Sequence, residues 1–362
     1  MRDGRSAVPG CDVGEDVRLV ARCVHGLESV LGAEILRCDG AVVDRVGHRE
    51  VGYRTRGGGA APRTADDVFL FAGRRPDVGP ARADLAGLAA LARTAGLDRL
   101  LRDRRACGGP PGLDGVAVSA SYLGRRAYNR YDIEDAVGPV LAARAGVPYH
   151  ARRSGAVPPS GAAEWRLTLD GAHATLLLRV ADRPAHRRAY KTASVPGTLH
   201  PPVAAAMARL TRLGPGQRVV DPCCGAGTPL IEAWQLSPGV TLTGFDLDPA
   251  ALRAARRNAA GLPIRFRRAD AGALPVPDAG ADRVLCNPPW GARVPPRGRL
   301  TRGAEGWWRE IARVLTPDGT AVVLLPDAHA LSPALEYGLV PSYVRQLSIA
   351  GRHPLLARLD RR

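Results

Sequence analysis

GQRVVDPCCGAGTPLIEAW (residues 216–234) and DRVLCNPPWGAR (residues 282–293) decide the fold of this chain. Gln217 to Val220 is a short apolar run ending in Asp221, which reads as a strand. Gly225-Ala226-Gly227-Thr228 make a turn, and Leu230 to Trp234 continue at helical spacing. Glycines at a strand-to-helix turn let a ligand approach the backbone closely, and the helix N-terminus offers free N–H donors. An ordinary tight turn gives the same three elements, so the downstream pattern carries the decision.

That pattern repeats. Thr241 to Asp248 is a second buried strand with an acidic end. Asp246 lies where a nucleotide-binding βαβ unit puts the carboxylate for ribose hydroxyls. A helix follows over Pro249 to Ala260, with proline in its first turn. Ile264 to Ala269 is a third strand, ending in Asp270, and Asp282 to Cys286 a fourth, ending in Asn287-Pro288-Pro289-Trp290. Ligands of open α/β sheets bind at the carboxyl ends of the strands. Nicotinamide binding is the first rival, but Pro229 or Leu230 stands where a third glycine belongs.

The order D-x-x-x-G-x-G, with acidic ends on the next two strands, resembles the class I S-adenosylmethionine-dependent methyltransferases over roughly residues 200–362. The resemblance implies a seven-stranded, Rossmann-like α/β domain. It also implies that Asp221, Gly225, Gly227 and Thr228 hold the methionine part of S-adenosyl-L-methionine. Asp246 would bind the ribose hydroxyls and Asp270 the adenine amine. The Asn287–Trp290 loop resembles the [N/D]PP[Y/F/W] loop of amino-methyltransferases. Its prolines fix φ and lack N–H donors, which stiffens the loop. The Asn287 carboxamide oxygen and the Pro288 carbonyl can both accept from one –NH2 group, and Trp290 offers a planar base a stacking face. Methyl transfer builds positive charge on that nitrogen, and two acceptors aimed at it stabilise the charge. Asn287 also borders the cofactor side, and Asn287, Pro288 and Trp290 are the expected catalytic residues.

The formal net charge is +16, with a pI near 10.5. Residues 1–190 hold 29 arginines against 22 acidic residues, and the remainder 22 basic against 13. Lys191 is the single lysine. Both halves are basic, which favours a polyanionic partner over a solvated basic surface alone. Cysteines 11, 23, 38, 107, 223, 224 and 286 form no C-x-x-C pair and complete no zinc spacing, so no metal is expected. The scattered, odd set and the polar N-terminus point to the cytoplasm. No apolar run approaches a membrane span. Cys286 beside the NPPW loop reads as core rather than as a nucleophile.

Residues 1–16 read as disordered. Val17–Val24 is a strand, Gly26–Leu36 a helix, and Ala41–Val46 with Glu50–Tyr53 a hairpin. Residues 56–64 read as a linker. A strand from Asp66 to Ala72, a helix over Leu85–Leu101 and a strand over Val116–Tyr122 follow. Asp132 is placed to cap a helix running to Ala145, and Glu164–Leu169 with Ala174–Val180 form a hairpin. GLESVLGAEIL, SASYLGRRAYNRYDIEDAVG and LLLRV together resemble the α+β ferredoxin-like plus THUMP module of RNA-modifying enzymes. That likeness divides the chain into a ferredoxin-like unit (1–60), a THUMP-like unit (61–182), a linker (183–203) and a methyltransferase domain (204–362). It implies contact with structured RNA, most simply the acceptor region of tRNA. Arg125, Arg126 and Arg130, with Tyr128 and Tyr131 interleaved, suit phosphate contact and stacking. Arg187 and Arg188 sit in a stretch, RRAYKTASVPGTLHPPVAAAMARL, resembling the linker and first helix of THUMP-bearing guanine-N2 methyltransferases through Leu199, Pro201 and Ala204 to Ala206.

Beyond the loop, Arg293–Arg302 is basic and Ala304–Leu315 a helix on which Trp307 and Trp308 cannot share one face, so at least one is core. Thr320–Leu325 is the fifth strand, and Leu347–Ile349 with Leu355–Leu359 the closing antiparallel pair. The resulting expectation is methylation of guanine N2 in tRNA. Alternatives are ribosomal RNA guanine N2, DNA adenine N6, a protein glutamine, or a catalytically silent RNA-binding factor. In a methyl-transfer assay on RNA, Trp290→Phe should retain part of the activity and Trp290→Ala far less, because stacking needs a ring. Equal activity of the two variants would remove the stacking role.

Overall fold

The computed structural model describes residues 16–56, 61–289, 291 and 294–362. Residues 1–15 of the expected disordered start, part of the 56–64 linker, and Trp290 lie outside the described residues. The first half begins with β1 (Val17–Arg22), α1 (Glu28–Ile35), β2 (Val42–Gly47), β3 (Glu50–Thr55) and β4 (Asp67–Pro76). It continues with α2 (Ala86–Thr94), α3 (Leu97–Ala106), β5 (Gly115–Tyr122), α4 (Arg130–Ala145), β6 (Ala162–Leu169) and β7 (His173–Arg179). One sheet takes in all seven strands, in the order β2-β3-β1-β4-β7-β6-β5. β1 bridges the two sequence units by pairing antiparallel with β4 from Leu19 to Arg22.

The second half runs α5 (Pro201–Leu210), β8 (Arg218–Asp221), α6 (Thr228–Leu236), β9 (Thr241–Asp246), α7 (Pro249–Asn258), β10 (Ile264–Arg268) and β11 (Ala281–Cys286). It ends with α8 (Glu305–Val314), β12 (Leu315–Leu325), β13 (Leu339–Gln346) and β14 (Leu355–Arg361). The sheet order is β10-β9-β8-β11-β12-β14-β13, with β14 antiparallel to both its neighbours. The order reverses between β8 and β11, which opens a crevice at their carboxyl ends.

Three local expectations change. The helix over Leu85–Leu101 is two helices broken at Ala95-Gly96, where Arg144 donates to the carbonyls of Ala92 and Ala95 at 2.8 and 2.7 Å. Those bonds satisfy the end of α2, and glycine favours the break. Asn129, not Asp132, caps α4: its side chain accepts from Tyr131 N and Asp132 N, while Asp132 reaches back to Asn129 N at 2.9 Å. This is a capping box. The partner of β14 is Leu339–Gln346 rather than Leu347–Ile349, because Pro341 sits at a register irregularity on an edge strand, where proline is tolerated. Trp307 and Trp308 are both buried, with ring centroids 4.4 Å apart.

Two buried carboxylates join the halves. Glu232 of α6, fully shielded from solvent, accepts from Arg63 Nε at 2.7 Å, Arg188 Nε at 3.0 Å and Tyr190 Oη at 2.8 Å. Glu34 of α1 accepts from the backbone N–H groups of Arg63 and Thr64, both at 2.9 Å, and from Arg209 of α5 at 2.6 Å. Removing a buried anion leaves its cations unpaired. Glu232→Ala should therefore destabilise the protein by about 3–5 kcal/mol, nearer the lower figure because Arg63 keeps 31% of its side chain exposed. Denaturant unfolding checks this; a loss below about 1 kcal/mol would mean the node is not stabilising.

Candidate active site

The crevice is a cavity of ≈ 720 Å³. Its floor is the glycine turn between β8 and α6. Gly225 (φ 51°) and Gly227 (φ 80°) both take the left-handed conformation that glycine permits without strain. A Cβ at Gly225 would meet nothing within 4 Å, so the turn faces open space; one at Gly227 would press on Phe266. Gly225 and Thr228 line the cavity. The Thr228 hydroxyl is buried without a hydrogen-bond partner at the start of α6.

Asp246, at the end of β9, also lines the cavity. Its two oxygens accept from Gly225 N and Asp248 N, each at 2.9 Å. It thus braces the glycine turn while spare lone pairs remain for a ligand hydroxyl. Asp221 lies behind the turn, fully buried, with one oxygen accepting from Cys223 N at 3.0 Å and the other unpartnered. Burial pushes its carboxyl well above the usual carboxylate range. Asp270 stands at the rim. Its carboxylate is occupied by the N–H groups of Gly272 and Arg299 at 2.9 Å, and its neighbours Ala269 and Ala271 are the ones that line the cavity.

Asn287, Pro288 and Pro289 form the wall at the end of β11, and Asn287 Nδ2 lies 3.4 Å from Gly197 O. Cys286, just before them, is buried, and desolvation pushes its thiol far up, which leaves it no nucleophilic thiolate. The opposite wall is the connector, whose Lys191 and Ser194 to His200 face the cavity. Asn258, at the end of α7, pins it: its oxygen accepts from Thr192 N and Ala193 N, and its nitrogen donates to Ala193 O and Ala226 O. The sequence signal for Asn258 was an amide in helical register with Ala251, Ala254 and Ala255 on a buried face.

The five arginines expected at RNA divide. Arg125, Arg130 and Arg187 are exposed, with Arg130 stacked 4.6 Å from the Tyr131 ring centroid. Arg126 is instead held by Asp77 at 2.6 Å, Val78 O and Tyr128 Oη, and Arg188 by Glu232. Both guanidiniums are buried in the protein's own contacts, so phosphate contact by these two is corrected to a structural role. Tyr128 is buried as well, which leaves Tyr131 of the pair as the ring near the surface.

Residues 188–340 match the family described as UPF0020: RMKL-like, methyltransferase domain. The tRNA (guanine(6)-N2)-methyltransferase of Thermus thermophilus is 33% identical over 258 residues, 69% of this chain and 75% of that protein. The chain belongs to the class I S-adenosylmethionine-dependent RNA guanine-N2 methyltransferases. The crystal structure of TrmN from Thermus thermophilus superposes with a TM-score of 0.74 at 29% identity, covering 96% of this chain and all of that one. The U6 snRNA (guanine-N(2))-methyltransferase THUMPD2 of Bos taurus is 34% identical over 166 residues, 44% of this chain and 32% of that protein.

The cavity suits this family's cofactor, S-adenosylmethionine. The open glycine turn, the unpartnered Thr228 hydroxyl and the Asp246 carboxylate make a cradle with donors and acceptors in place. Bound there, the cofactor supplies an electrophilic methyl group. Among the described residues, no helix is long and apolar enough to cross a membrane, and no cluster of His, Cys, Asp and Glu could hold a metal. Asp246→Ala should weaken cofactor binding by about 2–3 kcal/mol, the size of lost charge-assisted hydrogen bonds. Calorimetry on a variant that still unfolds cooperatively checks this, and unchanged affinity would remove Asp246 from the site.

Proposed function

We propose that this enzyme methylates guanine N2 of tRNA in the cytoplasm. The observation that carries the reading is Asn287-Pro288-Pro289 at the end of β11, lining the same cavity as the Asp246-braced glycine turn. The likeness to a tRNA guanine-N2 enzyme over 69% of this chain supports it, as does the likeness in fold to TrmN over 96%.

The chain's own groups then divide the work. Asn287 Oδ1 and the Pro288 carbonyl accept the two N2 hydrogens and turn the nitrogen toward the methyl group. Trp290 stacks on the ring. A base gripped by edge and face must first leave any helix it occupies. The bound cofactor would supply the methyl group from its sulfonium, and Asn287 Oδ1 with the Pro288 carbonyl would meet the positive charge gathering on N2 until its proton leaves to water. Asp221 holds the turn from behind through Cys223, Thr228 and Gly225 receive the methionine part, Gly227 shapes the turn against Phe266, and Asp246 receives the ribose. Asp270 shapes the adenine end through the backbone it organises. The first half, read as a ferredoxin-like plus THUMP module, holds the RNA, with Arg125, Arg130 and Arg187 offering exposed charge.

Asn287→Ala should lower kcat by about 10²–10³ and leave cofactor affinity near wild type. Asn287→Asp keeps an acceptor and should lose less. Wild-type methylation rates in Asn287→Ala would reject the amine-transfer mechanism.

A further inference from the structure

Residues 253–268 carry six arginines, Arg253, Arg256, Arg257, Arg265, Arg267 and Arg268, and neither an acidic residue nor a lysine. All six are exposed, and none makes an ion pair with the described residues. Elsewhere the arginines are commonly matched, as in Arg54 with Asp44, Arg126 with Asp77, Arg153 with Asp132 and Arg179 with Asp67. Six unmatched arginines within sixteen residues make a dense local patch of positive charge.

The fold gathers these residues. Arg253, Arg256 and Arg257 fall on one face of α7 by their spacing. β10 is the open end of its sheet, paired only with β9. Along it Phe266 turns inward under α7, while Arg265 and Arg267 alternate to the opposite face. The connection from β10 to β11 contains no helix, so nothing regular covers that face. Arg256 donates to Phe266 O at 2.8 Å and ties helix to strand. Both arms start at the cavity: Ala251 lines it just before Arg253, and Ala269 just after Arg268.

Charge on an edge strand also blocks pairing with another sheet. That role does not require Arg253 and Arg257, which stand on the helix. We propose that α7 and β10 form a second RNA-binding surface, on the catalytic half, that holds the phosphate backbone flanking the target nucleotide. The inference rests on the RNA-methyltransferase reading and adds a place for the strand outside the pocket. β10 lies three strand positions from β11, about 14 Å. The phosphates met here therefore belong to neighbouring nucleotides, not to the one under Asn287.

The test is RNA binding by the full chain across a salt series, using tRNA as probe. The patch variant is Arg253→Gln, Arg257→Gln, Arg265→Gln and Arg267→Gln together. The control neutralises four other exposed arginines, Arg93, Arg102, Arg309 and Arg345. Cofactor affinity and gel-filtration state report the fold. The patch variant should lose on the order of tenfold affinity near 0.1 M salt, with the salt slope shallower by about 3 because each phosphate contact contributes ~0.7–0.9. The control should lose clearly less. Equal losses in both would assign the effect to net charge and overturn the proposal. Unchanged affinity with new self-association would make the arginines edge guards and overturn it too. Either result leaves the catalytic reading standing if wild type still makes N2-methylguanosine. If wild type binds tRNA without methylating it, that reading falls, and the slope difference still judges the surface.

Discussion

Glu232 has no contact with solvent, and its carboxylate ties together three parts of the chain, its own helix included. Arg63 comes from the loop before β4, Arg188 and Tyr190 from the connector, and Glu232 itself from α6, one turn past the glycine turn. An anion in that position needs all its partners, because an uncompensated buried charge is strongly unfavourable. Satisfying it fixes the start of α6, the path of the connector and the seat of the first half at once. Glu34 repeats the device from the other side, binding the Arg63-Thr64 backbone and Arg209 of α5. A single β-bridge, His25 with Ser348, adds a further contact between the halves. The pocket and the half assigned to RNA are thus held in one geometry.

The pocket follows from that constraint. Parallel strands bring the ends of β8, β9 and β11 to one edge, where the sheet order reverses. Asp246 braces the glycine turn by accepting from Gly225 N, and Asn258 fastens the connector. Most of the residues that shape the cavity act by bracing backbone. Among the described residues, the groups at the end of β11 left to face a substrate are few: Asn287 and the carbonyl of Pro288. This suits a reaction whose barrier falls mainly through orientation and through acceptors set in advance, with no strong base required.

The catalytic half was legible because its signals are local. Short apolar runs with polar ends near Asp221, Asp248, Asp270 and Asn287 place four strand ends to within two residues, β9 ending at Asp246 and β10 at Arg268. The N-terminal elements were legible in kind, but the break at Gly96 depended on Arg144 reaching in from another helix. Glu34 and Glu232 look like surface acids in sequence. Their partners lie up to 175 positions away, and only the folded chain buries them. Arg126 and Arg188 failed as candidate phosphate contacts for the same reason: composition counts charges, and burial decides which remain available. Pro341 hid β13, since a proline is compatible with a strand only at an edge or an irregularity. The connector carries no periodicity, so nothing local marks which of its side chains are spent on Glu232 and Asp66.

The central claim is that the Asn287 loop presents an RNA guanine amine to the methyl donor. The most direct measurement is incubation of the purified protein with S-adenosylmethionine and unmodified tRNA, followed by digestion and mass spectrometry of the nucleosides. N2-methylguanosine at one position is the predicted product. N6-methyladenosine, or tRNA that stays unmethylated while cofactor binds normally, would contradict the account.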